Sequence, residues 1–183
     1  MKYLLDSEET EHLRFRKIEL SDFDQWLEFH KDPRTSAHWT WDKKDPVTEC
    51  TLWYEKQFDR YANDRGGMNA LIEKESGKLV GHCGLLVQTV DELPELEIGY
   101  SLLPAFWRKG YATEAAVRCR DYAFQRSLSE SLISIISVTN TPSQKVAQKN
   151  GMTVDKEAIY AGNNVKIYRI TKATWEKITG NVC

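Results

Sequence analysis

Seven short stretches of this chain alternate apolar and polar positions or run continuously apolar, and four longer ones repeat at helical spacing. Leu13 and Phe15 face one way and Arg14 and Arg16 the other, which predicts a first strand. Ser21 is placed to cap a helix in which Phe23, Trp26, Leu27 and His30 recur, and Asp32-Pro33 supplies its stop. A second helix is expected from about 47 to 61, carrying Leu52, Trp53 and Phe58. The runs 68–74 and 79–87 flank Ser76-Gly77-Lys78 and read as a hairpin, with a further strand over 96–103. From Gly110 to Arg126, Ala112, Ala115, Ala116, Cys119 and Ala123 make a narrow stripe suited to a helix packed closely on a sheet. Leu132–Val138 reads as the most buried strand, and a short helix follows from Pro142 to a glycine stop at Asn150-Gly151. Strands over 153–160 and 165–171 pair about Gly162-Asn163-Asn164. The predicted order is strand, two helices, three strands, helix, strand, helix, two strands: a mixed α/β sandwich with helices on both faces of one sheet.

Composition narrows the function classes more than the fold. The 183 residues carry no repeat, low-complexity stretch or linker, so one domain over 1–183 is expected. A net charge of −2 disfavours a broad nucleic-acid surface, which needs a Lys/Arg excess. Cys50, Cys83, Cys119 and Cys183 are scattered, with no C-x-x-C and no matched histidine spacing; reduced thiols are expected, and no metal site. The N-terminal stretch turns acidic too soon for a signal peptide, and no apolar run approaches the about 20 residues of a membrane span. A cytoplasmic protein without membrane or nucleic-acid partners is the expectation.

The most specific chemistry follows Pro104. A strand ends, and Trp107-Arg108-Lys109-Gly110-Tyr111-Ala112 leads into a helix. A helix start leaves backbone N–H groups unpaired and concentrates positive dipole there. Gly110 keeps a Cβ out of an anion's way, and Arg108 and Lys109 add charge, so the turn can cradle a pyrophosphate. A glycine corner with solvated basic residues would read the same way. Neither G-x-x-x-x-G-K-[ST] nor G-x-G-x-x-G occurs, which excludes the commoner nucleotide loops.

The run from Glu97 through Gly110 to Ala115 resembles motif A of the GNAT N-acetyltransferases, in particular their branch of Rim-type ribosomal-protein acetyltransferases, with Trp107 in the first place of [Q/R]-x-x-G-x-[G/A]. Glu11–Asp22 is similar to the family's opening strand and helix cap, and Asn140–Met152 to its N-x-x-S-x-x-V-x-x-K-x-G-[FM] segment. The resemblance covers nearly the whole chain. It implies a mostly antiparallel sheet with one splayed parallel strand pair, 96–103 and 132–138, holding acetyl-CoA as co-substrate.

On that resemblance, Leu102, Leu103 and Pro104 would line pantetheine, and Trp107, Arg108, Lys109, Gly110, Tyr111, Ala112 and Thr113 would hold the pyrophosphate. Asn140 would bond a pantetheine amide and Ser143 would sit near the thioester sulfur, although Asn-Thr-Pro-Ser equally suits a helix cap and turn. Glu97 aligns with a strand carboxylate that serves as general base, Glu95 shares its face by alternation, and either could instead face solvent. The oxyanion donor would be a backbone N–H near Leu102. Where the family carries a general-acid tyrosine this chain has Ala147, which leaves Ser143, or an unassisted thiolate, to complete the reaction.

Direct attack in a ternary complex is expected, since Cys83 and Cys119 fall on packed positions where thiols are inert. His38 and His82 could titrate usefully or make structural hydrogen bonds. Trp39, Trp41, Glu95 and Tyr160 are the candidate acceptor-side residues, the aromatics suiting an amine or simply covering core. The acceptor would be a protein N-terminus or a small-molecule amine, and the protein a monomer or homodimer. The alternative is a non-catalytic acyl-CoA-binding or sensory module, to which the absent tyrosine points.

Overall fold

The computed structural model describes residues 2–180; Cys183 lies outside them. The order is β1 (Leu13–Arg16), α1 (Phe23–Lys31), α2 (Pro46–Ala62), β2 (Gly66–Glu73), β3 (Leu79–Val90), β4 (Leu93–Leu102), α3 (Tyr111–Gln125), β5 (Ser131–Ser137), α4 (Thr141–Lys149), β6 (Thr153–Tyr160), β7 (Asn163–Thr171) and α5 (Lys172–Thr179). The strands form one sheet in the order β1-β2-β3-β4-β5-β7-β6. Every neighbouring pair is antiparallel except β4 and β5.

Each layer follows from side-chain alternation. Leu96, Ile98 and Leu102 of β4 join a core that includes Ala115, Ala116, Cys119 and Ala123 of α3, so the small-residue stripe does press a helix onto the sheet. Ala147 of α4 and Trp175 of α5 complete that layer. On the opposite face Trp26 of α1 and Cys50 and Tyr54 of α2 pack over Met68, Ala70 and Ile72 of β2. A third cluster, Val90, Ile133, Ile135, Val165 and Ile167, lies where Trp39 and Tyr160 reach it. Cys50, Cys83 and Cys119 are buried free thiols, and the sulfurs of Cys83 and Cys119 are 3.5 Å apart.

Several expectations need correction. Ser21 does not cap α1: it lies in a single 3-10 turn, its hydroxyl donates to Glu19, and the N-cap position belongs to Asp22. Asp22 continues the 3-10 turn into α1 in helical conformation, and its carboxylate takes the Glu19 N–H and both outer nitrogens of Arg16 rather than an N–H of the helix. β3 and β4 are longer than expected and turn at Asp91-Glu92, both with positive φ (49° and 66°), the backbone of a tight primed hairpin turn without its usual glycine or asparagine. The last hairpin turns at Ala161-Gly162, so Asn163 and Asn164 belong to β7. Helix α5 was not foreseen at all; Thr171 caps it by accepting the Thr174 N–H at 3.2 Å.

Candidate active site

The sheet is interrupted where β4 meets β5. The two strands share a single register pair, Glu97 with Ile133. In a continuing parallel ladder the Ile135 N–H would pair with the Ile98 carbonyl. Side chains take both groups instead: the Ser134 hydroxyl donates to the Ile98 carbonyl at 2.8 Å, and the Ile135 N–H donates to Glu97 Oε1 at 3.4 Å. Beyond that point the strands part. By strand alternation the N–H and C=O of Tyr100 and the N–H of Leu102 face the gap. The Leu102 carbonyl is closed off by the Trp107 indole N–H at 2.7 Å.

The gap leads to the turn into α3. Gly110 sits at its N-cap with φ of 90°, a conformation that disfavours any side chain, and nothing lies within 4 Å of where its Cβ would be. The first helical bond joins the Glu114 N–H to the Gly110 carbonyl, which leaves Tyr111, Ala112 and Thr113 N–H groups free for an anion. The positive charge is less free than its sequence suggests. Lys109 lies 3.8 Å from Glu73 and over the rings of Phe106 and Tyr111, and Tyr111 donates its hydroxyl to the same Glu73. Hydrogen bonds from Ser76 and Tyr111 hold the Glu73 carboxyl below the usual carboxylate range, so it stays ionised beside the lysine. Leu102 is buried on the α3 side while Leu103 packs toward the α1–α2 layer, and Pro104 opens a 3-10 turn between them and Trp107.

Glu97 is partly buried at the mouth of the gap, on the sheet face opposite α3. Burial pushes its pKa above the ordinary carboxylate value; donation from Gln88 and Ile135 and the charges of Arg60 and Lys56 oppose that rise. Gln88 Nε2 donates to Glu97 Oε2 at 2.7 Å. Across the gap, Asn140 caps α4, its Oδ1 accepting the Ser143 N–H at 3.1 Å, and the Tyr100 hydroxyl donates to the Ser143 carbonyl at 2.8 Å. The cap foreseen for Asn140 is therefore present, and the Tyr100 bond ties the start of α4 to β4. Ala147 is buried in the core and presents no hydroxyl.

The acceptor-side candidates separate. Trp39 and Tyr160 pack in one cluster with Ile133 and Ile135, on the face that carries Glu97. Trp41 does not join them: its indole N–H is held by Glu49 at 3.0 Å and Lys43 covers its ring. Glu95 shares the face of Glu97, but both its oxygens are taken by Arg169, at 3.0 and 2.6 Å, which ties β4 to β7 and leaves no lone base there. Asn163 clamps the 37–41 segment onto the last hairpin, accepting from the Thr40 N–H at 2.7 Å and donating to the Thr40 carbonyl at 3.0 Å. His38 bonds Thr139 at 3.0 Å. Between the clamp and the end of β5 lies a cleft of ≈ 290 Å³ lined by His38, Thr40, Ser137, Thr139, Asn163 and Asn164.

Arg60, Gln88, Tyr100 and Ser134 were not singled out from the sequence. Gln88 reaches Glu97 only because the hairpin turns at Asp91-Glu92, where Asp91 is the sole turn signal and no glycine follows it. Among the described residues no cluster of three or more His, Cys, Asp or Glu could hold a metal, and no helix is long and apolar enough to cross a membrane.

Comparison with known proteins agrees with this geometry. Residues 12–153 match the family described as acetyltransferase (GNAT) domain. The uncharacterised protein YkkB of Bacillus subtilis (strain 168) is 31% identical over 154 residues, covering 80% of this chain and 85% of the relative. The uncharacterised N-acetyltransferase p20 of Bacillus licheniformis is 28% identical over 151 residues, covering 82% and 83%. An acetyltransferase of Agrobacterium tumefaciens superposes with a TM-score of 0.75 at 26% identity, over 91% of this chain and 94% of that one. RimJ of Mycobacterium smegmatis, solved with CoA-disulfide, shares the fold at a TM-score of 0.72 and 18% identity, over 92% and 89%. With a parted strand pair, a free helix start at Gly110 and a family match over most of its length, the chain belongs to the GNAT acetyltransferases.

Proposed function

We propose that the protein is an acetyl-CoA-dependent N-acetyltransferase that acts on a primary amine by direct attack in a ternary complex. The observation that carries this reading is the Glu97 carboxylate, standing where β4 and β5 separate and bonded to the first N–H that the parted ladder leaves behind. The residues present fit acetyl-CoA: free N–H groups at the start of α3 for its phosphates, and the unpaired strand groups of Tyr100 for its extended amides. Bound there, acetyl-CoA supplies a thioester whose carbonyl an amine can attack. Asn140 keeps its side-chain N–H₂ for the same ligand, since only its oxygen serves the cap.

The chemistry asked of this chain is proton management. An amine must be neutral to attack, and a base with a pKa raised toward the working pH removes its proton more effectively than an ordinary carboxylate. Glu97 has that character through burial. The Leu102 N–H, facing the gap, would meet the charge that develops on the carbonyl oxygen. When the tetrahedral adduct collapses the C–S bond breaks and CoA departs as a thiolate, which a thiol pKa of about 8.5 allows without a dedicated acid; the Ser143 hydroxyl would at most donate a hydrogen bond to the departing sulfur. The acceptor, a protein N-terminus or a small-molecule amine, would enter past Trp39 and Tyr160 from the cleft under the 37–41 segment.

Release of free CoA measured with a thiol reagent across a panel of amines tests the reading. Glu97→Gln should lower kcat roughly a hundredfold or more while the KM for acetyl-CoA stays the same. Wild-type turnover in that variant would remove Glu97 from the mechanism. Acetyl-CoA binding with no turnover on any amine would favour a binding module instead.

A further inference from the structure

Arg60 is buried on α2 at 4% exposure and touches no carboxylate. Its guanidinium donates to the carbonyls of Arg65 (3.2 Å) and Val87 (3.1 Å) and to Gln88 Oε1 (2.8 Å). A guanidinium has donors only, so the Gln88 oxygen must face Arg60. The amide nitrogen then has one place to point, and it meets Glu97 Oε2 at 2.7 Å. The orientation of this glutamine is thus decided by chemistry. We propose that Gln88 is a positioning residue for acetyl transfer: held by Arg60, it fixes the Glu97 carboxylate at the mouth of the gap and transmits the favourable charge of a buried cation to it.

The arrangement has a physical logic. Glu97 placed directly against Arg60 would be a tight ion pair, stable as the anion and a poor base. One amide between them keeps a donor on Oε2, leaves Oε1 toward β5 and the gap, and weakens the direct attraction. The other titratable groups near Glu97 on its face are Lys56 on α2, Tyr160 on β6 and the Glu95–Arg169 pair, with Tyr100 behind it on the opposite face of β4. None of them makes a hydrogen bond to the carboxylate, so the amide of Gln88 is the side chain that orients it.

This inference rests on Glu97 as the base, and the experiment separates the two claims. The Glu97 carboxyl is titrated by ¹³C NMR in the full chain, in wild type, Gln88→Met and Gln88→Glu, alongside pH profiles of kcat/KM. Gln88→Met keeps the length of the side chain and loses the donor. Its Glu97 pKa should rise by roughly one unit, about tenfold in proton affinity, and the acid limb of kcat/KM should move with it. The alkaline plateau of kcat/KM should fall, because the carboxylate is no longer held at the mouth of the gap, while the KM for acetyl-CoA should hold. Gln88→Glu, nearly the same shape and so the safeguard should the methionine fold poorly, should raise the pKa at least as far by adding a second carboxylate. An unmoved Glu97 titration in both variants would overturn the proposal, whatever happens to the melting temperature. If Glu97→Gln kept the acid limb, the base assignment would fail, and the NMR titration would still decide the role of Gln88.

Discussion

At the scale of single residues, the turn at Gly110 shows how a backbone angle becomes a binding feature. Its φ of 90° is costly for any L side chain, by about 1–2 kcal/mol, although a Cβ there would touch nothing in the protein itself. Gly110→Ala should therefore lower stability by that modest amount. Its acetyl-CoA affinity, measured by calorimetry, should fall by more than the stability loss explains, because the open space above Gly110 is where the phosphates would lie. Equal losses in both would mean that the space has no occupant. Lys109 teaches the opposite lesson: read as a free phosphate-binding charge, it is partly neutralised by Glu73.

Among the elements, α5 owes its place to one side chain. Trp175 is 5% exposed, lies 5.4 Å ring to ring from Phe124 of α3, and donates its indole N–H to Asp121 at 2.8 Å. Trp175→Ala should cost about 3–5 kcal/mol, seen as a lowered denaturation midpoint with an unchanged slope. Without tertiary contact an eight-residue helix is marginal, which is why its own sequence announced it so weakly. The strands were more legible. Alternation, continuous apolar runs and turn residues located all seven, with bounds off by a few residues, whereas β3 and β4 ran longer than read because Asp91-Glu92 accepts positive φ without glycine.

For the molecule as a whole, acid should weaken the fold through the layer between α1, α2 and the sheet. His82 is fully buried, edge-on to Trp26 at 4.2 Å, and neither ring nitrogen has a hydrogen-bond partner. Burial holds its pKa well below the usual histidine value, and the nearby charges of Arg16 and a protonated His30 push the same way. The unfolded chain takes up that proton near pH 6.5 and the folded one does not. Stability is therefore full above about pH 6.5 and declines below it, by about 1.4 kcal/mol per pH unit for one such group. His12 works in the other direction, since Glu114 raises its pKa. His82→Leu should flatten the acid decline and keep or raise the melting temperature at neutral pH, as it also removes two unpaired buried nitrogens. A decline as steep in the variant as in wild type would assign the acid sensitivity elsewhere.

By itself the sequence determined what is local or periodic: the alternation that makes strands, the alanine stripe of α3, the glycine that opens it, and the motif register that pointed to acetyl-CoA. These are set within a few residues of one another, so chain order preserves them. Only the tertiary structure decided which polar groups meet. Glu95 and Glu97 are equivalent by alternation, yet Arg169, 74 residues from Glu95, takes one carboxylate, while Gln88 and Arg60 hold the other at the parted strands. Trp39 and Trp41 are likewise two residues apart, and only the first packs beside Tyr160. The reason is the same in both cases. A side chain's partner depends on strand register and helix placement across the whole sheet, and those follow from burying the core rather than from any neighbouring residue.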